Sequence, residues 1–339
     1  MMRHVLLLLA LCSVGLNRAA DFYEVTDPVT AEYEGFWTSA NGAKGRITAQ
    51  IRPLSNNRYE GFVLLLRSRS PVAAFTLAPA VLENDLLKFA GSSSAKEAGG
   101  DLLGRNEVKC EFKGGKFTGS FSGELGEGTL EGSKVDRHPP SLGAKPPRNA
   151  IVLLSPTETN GWENLTWPMT GPGVLQVGKG NIQAKEKLTN YRLHLEFRTP
   201  YMPLATGQAR GNSGVYLQSK YEVQVLDSFG LYPLQDNDCG GIYKVHAPLM
   251  NATLPPTQWQ TYDITYVSGN AERGETPTIT VVLNGLTVIE KTKVPADLVE
   301  KGTGGGNANS GFLLLQDHGN PVQFRNIWAE PFFSQTKKR

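Results

Sequence analysis

From Tyr191 to Arg198 the chain alternates without a break. Tyr191, Leu193, Leu195 and Phe197 are apolar; Arg192, His194, Glu196 and Arg198 are polar. Successive side chains of an extended strand point to opposite faces, so this stretch reads as a strand with one face in a core and one toward solvent. The same two-residue period recurs along the chain, and no amphipathic helix of more than a few turns competes with it. In RITAQI, Ile47, Ala49 and Ile51 alternate with Arg46, Thr48 and Gln50. The runs are broken by turn residues, and glycine and proline are abundant enough (37 and 21 of 339 residues) to supply a turn after almost every run. In LNGLTV, Asn284 and Gly285 supply the positive φ angles of a tight hairpin. The chain is therefore predicted to be all-β, a sandwich or barrel.

Two strand-rich blocks are expected, residues 21–137 and 150–333. Between them, HPPSLGAKPPR (138–148) lies in a linker over 138–149. Paired prolines lack amide donors and fix φ, so this segment cannot join a central strand and reads as a semi-rigid spacer. The first block looks like a small antiparallel barrel or curled sheet. Its Phe36, Trp37, Phe62, Phe112, Phe117 and Phe121 read as core. The second block reads as a sandwich. A glycine run at 302–306 has no GKS or GKT ending and is not a phosphate loop.

Residues 1–20 read as a leader. Arg3 and His4 precede VLLLLALCSVGL, which has the length of a signal-peptide core and is short for a membrane span. The mature protein is expected to be exported, periplasmic or extracellular, with lipid attachment at Cys12 as an alternative. No other segment reads as transmembrane. Cys110 and Cys239 are one bridge between the blocks or two buried thiols. Residues 334–339 form a basic tail. The 34 basic and 32 acidic residues nearly cancel, which gives no electrostatic footprint for nucleic acid.

Polar residues inside strand-like sequence carry the chemistry. In YEVQVLD, Glu222 and Gln224 share one face; in LLQDHG, Gln316 and His318 do the same. The plain reading of either pattern is a solvated outer face. For His194, and for Arg192 with Glu196 as an exposed cross-strand ion pair, the plain reading is preferred.

The order NSGVYLQ, YEVQVLD, GGIYKV, a tryptophan before TYDITY, LNG, LQDHG and FRNIW resembles the 3-keto-disaccharide hydrolase domain family over roughly residues 150–333. The resemblance implies a concanavalin A-like lectin/glucanase fold, a jelly-roll sandwich with sugar on the concave sheet. Asn212, Glu222, Gln224, Asp227, Tyr243, Lys244, Gln316, His318 and Arg325 are the polar candidates there. Trp259, Tyr216 and Tyr232 are the candidates for stacking. A retaining glycosidase needs two carboxyl groups about 5–5.5 Å apart. Gln224 takes the place of a second carboxylate on the Glu222 face, and Asp227 has the opposite parity, so that mechanism is disfavoured.

The resemblance implies elimination instead. A ketone at C3 acidifies the C2 proton, a base removes it, the group at C1 leaves, and water adds to the enone. Glu222 and His318 are assigned the acid and base work, with Lys244 or Arg325 stabilising the enolate charge. The Glu, Gln and His set has donors for a divalent metal ion, although no tight ligand spacing demands one. A separate sugar 3-dehydrogenase would supply the ketone. The chain departs from the family pattern at Gln218, at Trp259-Gln260 and in the Tyr232-Pro233 loop. The alternative function is a non-catalytic, lectin-like carbohydrate-binding protein.

Overall fold

The computed structural model describes residues 22–333 except 26, 56, 69, 94–104, 164, 270–274, 297 and 299–309. The expected leader with Cys12, the glycine run and the basic tail lie outside the described residues. Eight antiparallel strands close into a barrel: β1 (Ala31–Ser39), β2 (Lys44–Pro53), β3 (Arg58–Arg67), β4 (Ser70–Val81), β5 (Leu86–Ser93), β6 (Asn106–Lys113), β7 (Lys116–Gly123) and β8 (Gly128–Val135). Each pairs with the next, and β8 returns to β1. Ile47, Ala49 and Ile51 point inward, as their alternation requires, and pack with Trp37, Leu65 and Phe75. Phe112 stacks on Phe117 at 5.1 Å. The interior is filled by side chains and is a core, not a ligand cavity.

One expected core aromatic is exposed, and another is buried but outside the barrel interior. Phe36 is 61% exposed. It follows Gly35 and precedes Trp37 on one strand, and only one of two adjacent residues can face the interior. Phe62 gives the interior to Val63 and packs outside the barrel against Tyr232, with ring centroids 5.7 Å apart.

The following strands are β9 (Ile151–Leu154), β10 (Trp162–Glu163), β11 (Met169–Gly171), β12 (Val174–Gln176), β13 (Ile182–Leu188), β14 (Tyr191–Arg198), β15 (Ser213–Leu217), β16 (Tyr221–Val225), β17 (Gln260–Val267), β18 (Thr278–Leu283), β19 (Leu286–Lys293), β20 (Gly311–Leu315) and β21 (Gln323–Pro331). They form a small sheet, β10-β13-β20-β15-β16, and a large one, β11-β12-β21-β14-β17-β18-β19, with β9 on β21. The inward residues of both meet in one core, among them Leu193, Leu195 and Phe197 from β14 and Val215, Val223 and Leu315 from the small sheet. Asn284 and Gly285 adopt φ of 53° and 82° between β18 and β19, as the hairpin reading required. Among the described residues the helical content is one short 3-10 turn, Gly207–Ala209. Cys110 sits in the barrel core and Cys239 in the sandwich core, both free. Burial pushes each thiol up to about 12, and the two are not bridged.

The linker is not a spacer. It lies as a strap across the outer face of the large sheet. Ser141 Oγ donates to Asp263 Oδ2 at 2.6 Å, and the Gly143 amide donates to Glu196 Oε1 at 2.6 Å. The Ala144 carbonyl accepts from Asn326 and from the Trp328 indole. His194 and Glu196 are therefore each only 1% exposed, where a solvated face was expected. The expected Arg192–Glu196 pair does not form. Arg192 pairs with Glu330, and Glu196 with Arg325. His194 Nδ1 lies 2.7 Å from Asp263 Oδ1. Burial opposes charge on His194, but hydrogen bonds to Asp263 and Glu196 outweigh it and raise its pKa. Burial likewise disfavours the Glu196 anion. Hydrogen bonds from His194, Asn326, the Gly143 amide and Arg325 prevail and pull its pKa down to about 2.

The barrel and sandwich meet through buried polar groups. Gln50 is fully buried; its Oε1 accepts from the Gly230 amide at 3.0 Å and its Nε2 donates to Glu32. Arg210 donates from Nη1 to the Pro53 carbonyl at 2.9 Å.

Candidate functional site

Strands β15 and β16 form a hairpin turned by Gln218 and Ser219, both at positive φ. Tyr221, Val223 and Val225 enter the core, so Glu222 and Gln224 go to the outer face of the small sheet. The register sets Tyr216 opposite Glu222 and Gly214 opposite Gln224. Gln316 follows β20, and its amide donates to the Gly214 carbonyl. Three side chains then join in a line. Gln316 Nε2 donates to the Tyr216 hydroxyl at 3.2 Å, and that hydroxyl donates to Glu222 Oε2 at 2.8 Å. Gly214 makes room for this: a Cβ there would sit 2.2 Å from Glu222 Oε1.

A second row of carboxamides runs beside the first. Gln208 Oε1 accepts from Asn212 Nδ2 at 3.1 Å and from Gln224 Nε2 at 3.3 Å. Asn320 Oδ1 accepts from the Asn212 amide at 2.8 Å. With their nitrogens committed, these side chains leave their oxygens over. Asn212 Oδ1, Gln224 Oε1 and Gln316 Oε1 are buried and have no donor among the described residues. A buried acceptor without a donor costs about 1–3 kcal/mol. Three on one face make a surface complementary to a ligand rich in donors. Glu222 and Gln224 are 4% and 3% exposed, so the site is recessed. Residues 240–243 cover the outer edge of β16, with the Tyr243 amide donating to the Glu222 carbonyl at 3.0 Å. Lys244, at φ 61°, lies at this rim with Nζ 5.1 Å from the Tyr243 ring centroid.

The structure brings Asn212, Glu222, Gln224 and Gln316 together, with Tyr243 and Lys244 beside them. The other candidates fall outside that group. His318 is not on a strand, because β20 ends at Leu315. Asp317 anchors the loop, accepting from the Gly180 and Gly319 amides, and His318 is exposed at its tip. Asp227 is held in a buried ion pair, 2.7 Å from Arg210 Nε, where β16 ends against the barrel. Trp259 and Arg325 belong to the large sheet, on the far side of the sandwich core. Arg325 donates to Glu196 at 2.6 Å and lies 4.0 Å from the Trp259 ring centroid. Strand parity alone could not reveal which of the two sheets each residue would join.

The sequence pattern of the 3-keto-alpha-glucoside-1,2-lyase-like domain family matches residues 149–330, more than half of the chain. The chain belongs to this family. A Parabacteroides distasonis protein described provisionally as a glycosyl hydrolase is 34% identical, over 55% of this chain and 85% of that one, with a TM-score of 0.48. A second protein of the same description and organism is 19% identical over 55% and 94%, with a TM-score of 0.42. No curated protein matches the chain.

Within this member of the lyase-like family, no group of three or more His, Cys, Asp or Glu side chains is placed to hold a metal among the described residues. Around Glu222 lie carboxamides and the Tyr216 phenol, with Tyr243 and the Lys244 amine at the rim. Three residues of the site or its supports went unread in the sequence. Gln208 sits in the short 3-10 turn and Asn320 in a loop, and neither segment carries a periodic signal. Arg210 precedes the GNSG motif but has no pattern of its own. Tyr216 was legible, since it shares parity with Asn212 and faces Glu222 in any tight hairpin.

Proposed function

We propose that this chain is an exported carbohydrate-active enzyme that cleaves a 3-keto glycoside by elimination and rehydration. The observation carrying this reading is the Gln316–Tyr216–Glu222 line flanked by three unpartnered buried carboxamide oxygens. Sugar hydroxyls are donors and would satisfy those oxygens, holding the ring against the single carboxylate. Glu222 takes the proton from C2, made acidic by the neighbouring ketone, and charge gathers on the ketone oxygen. The C1–O bond breaks, and the departing oxygen is assigned a proton from His318, which sits outside the hydrogen-bonded group on the exposed loop two residues after Gln316. Water then adds across the C1–C2 double bond, its hydroxyl to C1 and its proton to C2, which restores the ketone. Tyr216 orients Glu222, and Lys244 at the rim offers a cation to the enolate. The reading further takes the two-sheet unit as a concanavalin A-like jelly roll and residues 1–20 as a cleaved leader. Among the described residues no helix is long and apolar enough to cross a membrane.

The test is an assay on a 3-keto glucoside and its unoxidised parent, each with and without EDTA. Cleavage of the keto form alone, lost in Glu222→Gln and in His318→Ala, is the expected result. Sensitivity to EDTA would add a metal. Binding of sugar without turnover by the unaltered protein would replace this reading with a lectin-like one.

A further inference from the structure

A second polar feature lies on the outer face of the large sheet, where β14 ends, β17 begins and β21 begins. Arg198 and Arg325 both lie over the Trp259 ring, their guanidinium carbons 4.8 Å and 4.0 Å from its centroid. Arg198 also lies 4.3 Å from the Tyr23 ring centroid. A guanidinium stacks through its face and keeps its N–H edge in plane for hydrogen bonds. On both arginines only the Nε side of that edge is used: Arg198 Nε donates to Gln323 Oε1 at 2.8 Å and Arg325 Nε to Glu196 Oε2 at 2.6 Å. Among the described residues the terminal amines of both have no hydrogen-bond acceptor, and Arg198 has no acidic partner.

Charge on this face is unbalanced. Glu196 is shared with His194, Asn326 and the Gly143 amide; Asp263 serves His194 and Ser141; Glu330 pairs with Arg192. That leaves two stacked cations facing one already divided anion. Burial, and the charge of Arg325, lower the pKa of Arg198, as expected for cations held close together. The Arg325 side chain is 33% exposed and Arg198 is half-buried, so neither is sealed from solvent.

We propose that Arg198 and Arg325, both held over the Trp259 ring, form an oxyanion-binding site for the carboxylate of an acidic sugar or for a sulfate group. Two guanidiniums already lie over this ring, so recognition is of the charged group rather than of a sugar ring stacked on the indole. The site is separate from the Glu222 face and does not depend on the activity proposed there.

The test is titration of the full chain with glucuronate, with inorganic sulfate and with glucose. Binding is read by calorimetry and by the Trp259 indole N–H resonance, identified with a Trp259→Phe variant. Saturable binding of glucuronate but not glucose is expected, weakening as ionic strength rises. In Arg198→Gln it should weaken roughly tenfold or more, the scale of a lost hydrogen bond to a charged group. Arg198→Lys, which keeps the charge and loses the fork, should fall between the two. Sulfate binding at the same resonance would mark a general oxyanion site; its absence would mark one shaped for a carboxylate. No binding of either anion, or equal binding by Arg198→Gln with its circular dichroism unchanged, would overturn the proposal and leave the stack as a clamp for Tyr23.

Discussion

Gly214 has no side chain where Glu222 needs space. Gly214→Ala would set a methyl group 2.2 Å from Glu222 Oε1 in the present geometry, so the carboxylate must turn away. The expected result is a loss of about 1–3 kcal/mol in stability from overpacking, read by thermal melting, together with a fall in turnover in a 3-keto glucoside assay. Tyr216→Phe keeps the ring and removes the hydroxyl that donates to Glu222. A hydrogen bond to a charged group is worth about 1.5–3 kcal/mol. Because Tyr216 acts through Glu222, kcat should fall more than KM rises; an unchanged kcat would show that the phenol does not orient the base. At this scale the sequence was partly legible. Parity in YEVQVLD put Glu222 and Gln224 on one face, and that holds. Parity carries no information on His318, since alternation has no meaning once the strand has ended at Leu315.

The strap shows what alternation cannot tell about an element. β14 has the pattern of a half-solvated strand, and its inward face is the core one, as read. Its other face is closed by Ser141, Gly143 and Ala144, whose contacts come from backbone and a hydroxyl and so leave no periodic trace in the sequence. The pH response of the strap follows from the two buried groups. His194 has a folded pKa above 6.5, so its contribution is complete below about pH 6.5 and fades as pH rises through the folded value. Glu196 has a folded pKa of about 2, so its contribution is complete above about 4.5 and fades as pH falls toward 2. The clamp should be strongest between roughly pH 4.5 and 6.5. Thermal melting of the unaltered protein and of His194→Gln across pH 5–9 checks this. The gap between them should narrow above pH 6.5; a constant gap would remove His194 from the account.

Across the whole molecule, the all-β character was evident in the two-residue period, but which strands become neighbours was not. β20 pairs with β13 and β15 although some hundred residues of sequence separate them, and no local pattern encodes such a choice. The junction of barrel and sandwich was equally hidden, because it is made of single polar residues. Arg210 joins Asp227, at the end of β16, to the carbonyl of Pro53, at the end of β2. Asp227→Asn would leave the Arg210 charge buried without its counterion. A loss of about 3–5 kcal/mol is expected, measured as a lower urea midpoint; an unchanged midpoint would mean that the pair contributes little to the junction. The strap bears also on how such proteins are cut for study. The family match begins at residue 149, just after the strap. A recombinant fragment started there would present His194, Glu196 and the Trp328 indole bare on its surface. A loss of solubility in that fragment would reflect the missing eleven-residue cover and would not show that the catalytic unit is unable to fold.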